Sequence, residues 1–488
     1  MSVQLSIVAH TNVGKTALVR TLLKRDIGEV ADRPHVTEAA ERHALLDTPQ
    51  GDLLYLWDTP GFGDSARLAK RLRASGNPLA WLQTQVWDRL ADRPFFCSQQ
   101  AVRNVRDESD VVLYLVNGAE DPSSVGYIAA ELAILEWTGK PVLLLLNQVG
   151  PPRSRDAEKA DEERWSHLLA AHVAHRDVIT LDAFARCWVQ EDRLLRAAGA
   201  LLDAEKGPEM ERLRAAWRSR NLAIFRASMN SMAQLLAATL VDRELVPERL
   251  DAGALAQRAL QWIARARSGQ RGTDSSVDAA MEALVKRFDE RVRDDTERLI
   301  ALHGLGERAL QRILARTAGQ FEVAMPADVA GTGFVGGVLT GAAGGLAADL
   351  SAGGLTLGAG MLVGAILGAL GAGGAARAYN ILQGQEDGRV RWTPELLAQQ
   401  ARAALLRYLA IAHYGRGRGD WSEGEAPSHW LALVDAEVRA RQGALVAAGR
   451  MAADGEGEVA LAAHLEPELA AASSAILTRL YPEAREVF

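Results

Sequence analysis

The stretch Ala9-His10-Thr11-Asn12-Val13-Gly14-Lys15-Thr16 constrains this chain more than any other. It follows the apolar run Leu5-Ser6-Ile7-Val8 and precedes Ala17-Leu18-Val19-Arg20-Thr21-Leu22-Leu23, so it reads as a strand, a tight loop and a helix. In that order, successive backbone N–H groups and the helix N-terminus converge on one anionic point, which is the geometry a phosphate-binding loop needs. Lys15 adds a mobile positive charge for the outer phosphates, and the Thr16 hydroxyl is placed for a magnesium ion. The usual pattern opens on Gly, and Ala9 stands in that place. A Gly-Lys-Thr triplet alone also fits a chance turn at a helix start. The residues downstream separate the two readings.

A polar loop, Asp32-Arg33-Pro34-His35-Val36-Thr37, follows the first helix and puts Thr37 where a switch threonine reaches both metal and γ-phosphate. Strands from His43 to Leu46 and from Leu53 to Trp57 are expected around a Pro-Gln-Gly-Asp turn. The second delivers Asp58 to Thr59-Pro60-Gly61. A carboxylate at that strand end can hold magnesium through water, and the Gly61 N–H can face the γ-phosphate. In isolation Asp-Thr-Pro-Gly is a plain turn; after a phosphate loop it reads as a second switch. From Ser65 to Asp107 a mainly helical segment, broken near Gly76-Asn77-Pro78, either relays nucleotide state or is an inserted packing pair.

Val111 to Asn117 is a continuous apolar strand, as expected where a parallel sheet is covered on both faces. A helix through Ile128 to Trp137 leads to the strand Val142 to Leu146, which ends in Asn147-Gln148-Val149-Gly150. A last strand, Val178 to Leu181, ends at Asp182-Ala183-Phe184. This alternation predicts an α/β fold: a doubly wound, mostly parallel P-loop sheet with its ligand at the strands' carboxyl edge.

The ordered set resembles the translation-factor-related, or TRAFAC, GTPases, nearest the Era and TrmE branch, over residues 1–190. The whole chain also resembles bacterial GTPases that carry a C-terminal helical domain of unknown function. The resemblance implies a GTPase with GTP as substrate and Mg2+ as cofactor. It implies nucleotide contacts from Asn12, Val13, Gly14, Lys15, Thr16 and Ala17, magnesium at Thr16, Thr37 and Asp58, and catalytic roles for Lys15, Thr37 and Gly61. Asn147 then stands at the base-recognition motif, with Asp182, Ala183 and Phe184 lining the base. Two departures matter. The family's Asn-Lys-x-Asp motif ends in a carboxylate that accepts both guanine N–H donors, and Gly150 has no side chain to do so. Phe62 follows Gly61, where Ras-like proteins carry a water-orienting glutamine. Asn12 matches an asparagine that resembles a potassium ligand in the TrmE branch. A monovalent cation there would supply the charge an arginine finger supplies elsewhere; the alternative is a loop-stabilising hydrogen bond.

The remaining chain reads as all-α. Residues 191–326 carry apolar positions at helical spacing, among them Leu194, Leu195, Ala198, Leu284, Phe288, Val292 and Leu299, as in a bundle or stalk. Residues 327–378 form a glycine-rich apolar hairpin, with glycines at 333, 337, 341 and 345 and again at 360, 364 and 368. That period keeps each set close to one helix face and lets backbones approach closely, as helices do in lipid. The two arms, Val329 to Ala348 and Leu355 to Ala376, each approach the length that crosses a hydrocarbon core. Glycines also weaken helices in water, so the competing reading is a hairpin buried in protein or in an oligomer. Residues 379–488 return to helical character.

At 488 residues the chain exceeds one ordinary core. A net charge of -7 without a basic tract gives no indication of nucleic-acid binding. Two distant cysteines fit a reducing compartment, and no secretory signal is read at the N-terminus. The expected protein is a GTP-hydrolysing switch with a cytoplasmic G domain at the inner membrane, its partners GTP or GDP, a membrane, and a protein or a second copy. The rivals are a nucleotide-gated membrane-remodelling or pore-forming protein, and an ATPase on the same fold.

Overall fold

A computed structural model describes residues 2–24, 39–74, 92–149, 155–169, 177–181, 187–246, 275–305, 388–392, 396–414 and 428–488. Thr37, Gly150, Asp182, Ala183, Phe184 and the whole glycine hairpin lie outside the described residues. The chain divides into two compact units. One comprises Met1–Ala223, Ala412–Asp420 and Leu477–Phe488, and the other Ile224–Ile411 and Trp421–Ile476.

The first unit is built on strands β1 (Ser2–Ala9), β2 (Glu41–Asp47), β3 (Leu53–Asp58), β4 (Val111–Asn117), β5 (Val142–Asn147) and β6 (Val178–Thr180). Their order is β2-β3-β1-β4-β5-β6, with β2 antiparallel to β3 and every other pair parallel. The strand order reverses beside β1, which places the loop after β1 at the switch point where such sheets take ligands. Helices α1 (Lys15–Leu23), α2 (Ser65–Ala74), α3 (Arg93–Glu108), α4 (Ile128–Thr138) and α5 (Arg155–Leu169) follow their strands, as α/β alternation requires.

β4 and β5 are buried because both faces are apolar. Val112, Tyr114 and Val116 join one core cluster with Leu68, Val105 and Leu132, while the alternate Leu113 and Leu115 are also fully buried. Burying such side chains stabilises by about 1.5–3 kcal/mol each, and a period of two then sends them to both faces of the sheet. A bulge between Ala44 and Leu46 lets β2 run from Glu41 to Asp47. Phe62 is fully buried in the same cluster and bridges back to the end of β1, its N–H donating to the Ala9 carbonyl at 2.9 Å.

Helix α6 (Trp188–Ala200) and the first part of α7 (Gly207–Val241) complete this unit. Arg212 makes a bidentate pair with Asp52 in the β2–β3 turn at 2.6 and 2.8 Å, and Arg214 pairs likewise with Asp192. In the second unit, the rest of α7 is joined by α8 (Ser276–Leu302), α9 (Leu396–Ala412), α10 (Ser428–Ala440), α11 (Gln442–Ala453) and α12 (Glu458–Leu480), with a short antiparallel pair, β7 (Arg243–Val246) and β8 (Gly388–Arg391). Leu284, Phe288, Val292 and Leu299 are all buried, as helical spacing predicts for one face. Buried Asp295 is matched to Arg407 and accepts from the Ser231 hydroxyl at 2.7 Å. Among the described residues, no helix is long and apolar enough to cross a membrane.

Candidate phosphate-binding site

The loop between β1 and α1 turns by two left-handed residues, Asn12 at φ 67° and Gly14 at φ 92°. Asparagine and glycine tolerate that region best, which gives Asn12 a conformational reason for its identity. Ala9 is still strand, paired with Leu115, so a methyl group fits where the usual pattern has glycine. Gly14 is fixed twice over. A Cβ there would stand 2.8 Å from the Asn147 carboxamide nitrogen.

Asn147, the last residue of β5, is fully buried and donates from Nδ2 to the Val13 carbonyl at 2.7 Å. Its own carbonyl accepts from Gly118 N–H at 2.6 Å, where a side chain on Gly118 would strike Val149. Gln148 Nε2 reaches the Asn12 carbonyl at 3.4 Å. The ends of β4 and β5 therefore support the loop from beside it.

Lys15, Thr16 and Asp58 meet at the start of α1. Lys15 is 7% exposed, and burial holds its ammonium pKa below the ordinary lysine value despite the nearby Asp58 and Glu131 carboxylates. The Thr16 hydroxyl donates to Asp58 Oδ2 at 2.7 Å. Asp58 Oδ1 is buried without a hydrogen-bond partner among the described residues. Burial raises the Asp58 pKa, offset in part by Thr16 and then Lys15. A buried orphan oxygen on a carboxylate is costly unless another group satisfies it. An oxygen-seeking divalent cation with its waters is such a group, so Thr16 and Asp58 fit magnesium. Gly61 stands against the Lys15 ammonium: a Cβ there would lie 2.9 Å from Nζ and 3.1 Å from the Thr11 backbone. Close approach, not backbone conformation, requires glycine.

A buried network that motif reading did not reveal joins this loop to α4. His10 Nδ1 meets Glu131 Oε1 at 2.7 Å, the Tyr114 hydroxyl donates to Glu131 Oε2 at 2.8 Å, and the His10 ring stacks on Tyr127 at 4.0 Å. Burial pushes up the Glu131 pKa, and it pushes the Tyr114 phenol well above its usual range. The available signal was chemical isolation: Glu131 is the sole acid in Ile128-Ala129-Ala130-Glu131-Leu132-Ala133-Ile134-Leu135, and Tyr114 the sole hydroxyl in its strand before Asn117.

The structure thus brings together Asn12, Val13, Gly14, Lys15, Thr16, Ala17, Asp58, Gly61 and Asn147, the expected site residues among those described. Residues 4–148 match the family described as 50S ribosome-binding GTPase, and the parallel sheet with its loop at the switch point agrees. The fold is that of a P-loop domain similar to this GTPase family over residues 4–148. Residues 171–454, more than half of the chain, match the family described as a domain of unknown function, DUF3482, and the chain belongs to that family.

Similar solved structures include Era in complex with MgGDPNP and 16S ribosomal RNA, at 16% identity and TM-score 0.30, covering 41% of this chain and 57% of that one. An Aquifex aeolicus Era variant bound to GDP.AlF4- is 14% identical at TM-score 0.30, covering 62% and 90%. NFeoB from S. thermophilus, bound to mGMPPNP, is 13% identical at TM-score 0.24, covering 59% and 87%. This chain therefore spans little more than half the length of the first of these. Among curated proteins, no relative matches the chain.

Proposed function

We propose that this protein binds GTP with magnesium at the loop after β1 and hydrolyses it, serving as a switch that works at a membrane surface. The observation that supports this best is the pairing of Thr16 with Asp58, whose other carboxylate oxygen is buried and has no hydrogen-bond partner among the described residues. The backbone N–H groups of Asn12 to Ala17 would cradle the phosphates, and Lys15 would neutralise charge that builds up on the γ-phosphoryl oxygens. Magnesium, held by Thr16, Asp58 and Thr37, would supply further neutralisation of the β- and γ-phosphates. Water attacks in line, and Gly61 and Thr37 report whether the γ-phosphate is present. Phe62 is buried, so no side chain at that position orients the water.

Asn147 serves the base side, with Asp182, Ala183 and Phe184. Because Gly150 cannot pair with guanine, ATP is the competitor to test. For potassium the fit is thinner: Asn12 is exposed, and its left-handed backbone already favours asparagine. Residues 327–378 are the proposed membrane element, on the strength of their length and glycine spacing. Residues 1–190, 191–326, 327–378 and 379–488 are the proposed working divisions, with a protein partner or a second copy as the downstream reader.

Phosphate release by the full chain, titrated with magnesium and with ATP as competitor against GTP, tests the central reading. Turnover that depends on magnesium and is lost in Lys15→Ala is expected; turnover that survives Lys15→Ala overturns it. Equal rates in potassium and sodium, unchanged by Asn12→Ala, remove the potassium step. Flotation of the full chain with vesicles tests the membrane step, and dye leakage without turnover would favour a pore.

A further inference from the structure

Gly61 opens a turn that is held on both sides. On the loop side, the Phe62 N–H donates to the Ala9 carbonyl at 2.9 Å, and the Phe62 carbonyl accepts from the Thr11 N–H at 3.2 Å. On the far side, the N–H groups of Gly63 and Asp64 both donate to Ser98 Oγ of α3, at 3.0 and 3.3 Å. Ser98 is fully buried and is the sole hydroxyl in its helix, and it donates its own hydrogen to the Pro94 carbonyl at 3.0 Å. A hydroxyl offers one donor and two acceptor positions, so Ser98 is fully used.

These bonds are not what starts α2. Asp64 does that with its own carboxylate, which accepts from the Arg67 N–H at 3.1 Å, while the Leu68 N–H reaches the Asp64 carbonyl at 3.2 Å. What Ser98 fixes is the turn itself. α3 is tied to α2 a second time by Arg67, which pairs with Asp92 and lies over the Phe95 ring at 4.3 Å. Cys97, one residue before Ser98, is buried and close enough to act on the charge of the Lys15 ammonium. The start of α3 therefore stands beside the outer end of the phosphate site, and Ser98 grips the backbone there.

We propose that Ser98 is a positioning residue that sets the preference for a nucleoside triphosphate over the diphosphate. With both flanks of the turn tied, the Gly61 N–H meets a γ-phosphate without a further loss of backbone freedom, whereas a diphosphate has no group to meet it. The anchor rests on the two bonds to Ser98; its effect on nucleotide preference rests on the GTP-switch reading above.

The test compares the full chain with Ser98→Ala and with Ser98→Thr, which keeps the hydroxyl and its bond to Pro94. Hydrogen exchange without nucleotide is read at Gly63 and Asp64, and fluorescence titration gives affinities for GDP and for a non-hydrolysable GTP analogue. Ser98→Ala should speed exchange of both amides about tenfold and weaken the analogue about tenfold, with GDP affinity held within about twofold. Ser98→Thr should restore the parent values. Exchange unchanged by Ser98→Ala overturns the anchor. Equal loss for both nucleotides, or none, assigns Ser98 to packing and overturns its role in preference. So does a Ser98→Thr chain that regains the parent's exchange yet keeps the affinity ratio of Ser98→Ala. Faster exchange in Ser98→Ala, where the parent binds neither nucleotide, supports the anchor and counts against the GTP-switch reading alone.

Discussion

The Asn147 side chain donates to the Val13 carbonyl at 2.7 Å, so the last residue of β5 holds the loop that follows β1. Asn147→Ala removes this buried tie, an interaction of about 1–3 kcal/mol. Nucleotide should leave about tenfold faster, with the fold retained. Stopped-flow release of a fluorescent GTP analogue measures this, and an unchanged release rate would mean that the loop holds its shape unaided.

Asp58→Asn keeps the shape of the carboxyl group and removes its charge. Magnesium dependence of GTP binding should shift to about tenfold higher metal or more. Proton linkage gives a second readout. Burial raises the Asp58 pKa in the folded chain, so that chain holds a proton that the unfolded chain has released at the same pH. Without metal, stability should therefore fall as pH rises from the ordinary carboxylate value of 3.8 through the raised one, and magnesium affinity should rise over the same window. Asp58→Asn should flatten both slopes, read by thermal melting and by metal titration.

Gly61→Ala places a methyl group where the Lys15 ammonium and the Thr11 backbone already approach. Lys15 is the more mobile neighbour and should yield. The expected outcome is turnover lowered by about tenfold or more with little change in GTP affinity, because the displaced charge acts on the γ-phosphoryl group as it departs. Single-turnover hydrolysis separates this from binding. Affinity lost in step with turnover would place the strain in the loop instead.

Acid sensitivity has a different source at the other end of β3. The bond from Arg212 holds the Asp52 carboxyl down at about 2, with Thr48 helping. A depressed acid stabilises the fold above its ordinary pKa of 3.8, and that contribution fades as pH falls through about 2. Arg212→Ala should thus be less stable than the parent at neutral pH, the gap closing as both are acidified. Denaturant midpoints across that range measure it; a gap that stays constant with pH would assign the loss to packing.

Much of the nucleotide unit was legible because its signals are local. The loop, the apolar β4 and β5, and the Asp58 turn each declare themselves within a few residues, through period, glycine and charge. Asn147 reads as a base-recognition residue, and its side chain also bonds a carbonyl far away in the chain, a tertiary fact that no window contains. The His10, Glu131 and Tyr114 network escaped motif reading for the same reason: each residue is ordinary alone and meets the others only when β1, β4 and α4 pack. Ala9 departs from the usual pattern at a position where the strand has not yet turned, so a methyl group fits there.

The support that β5 lends to the phosphate loop carries a warning for anyone who redesigns purine preference at that strand end. A change at Asn147 or next to it disturbs the loop that Asn147 holds as well as any contact to a base, so weaker binding of one triphosphate says nothing about discrimination. Only the ratio between two nucleotides on the same variant separates a lost reader from a loosened frame.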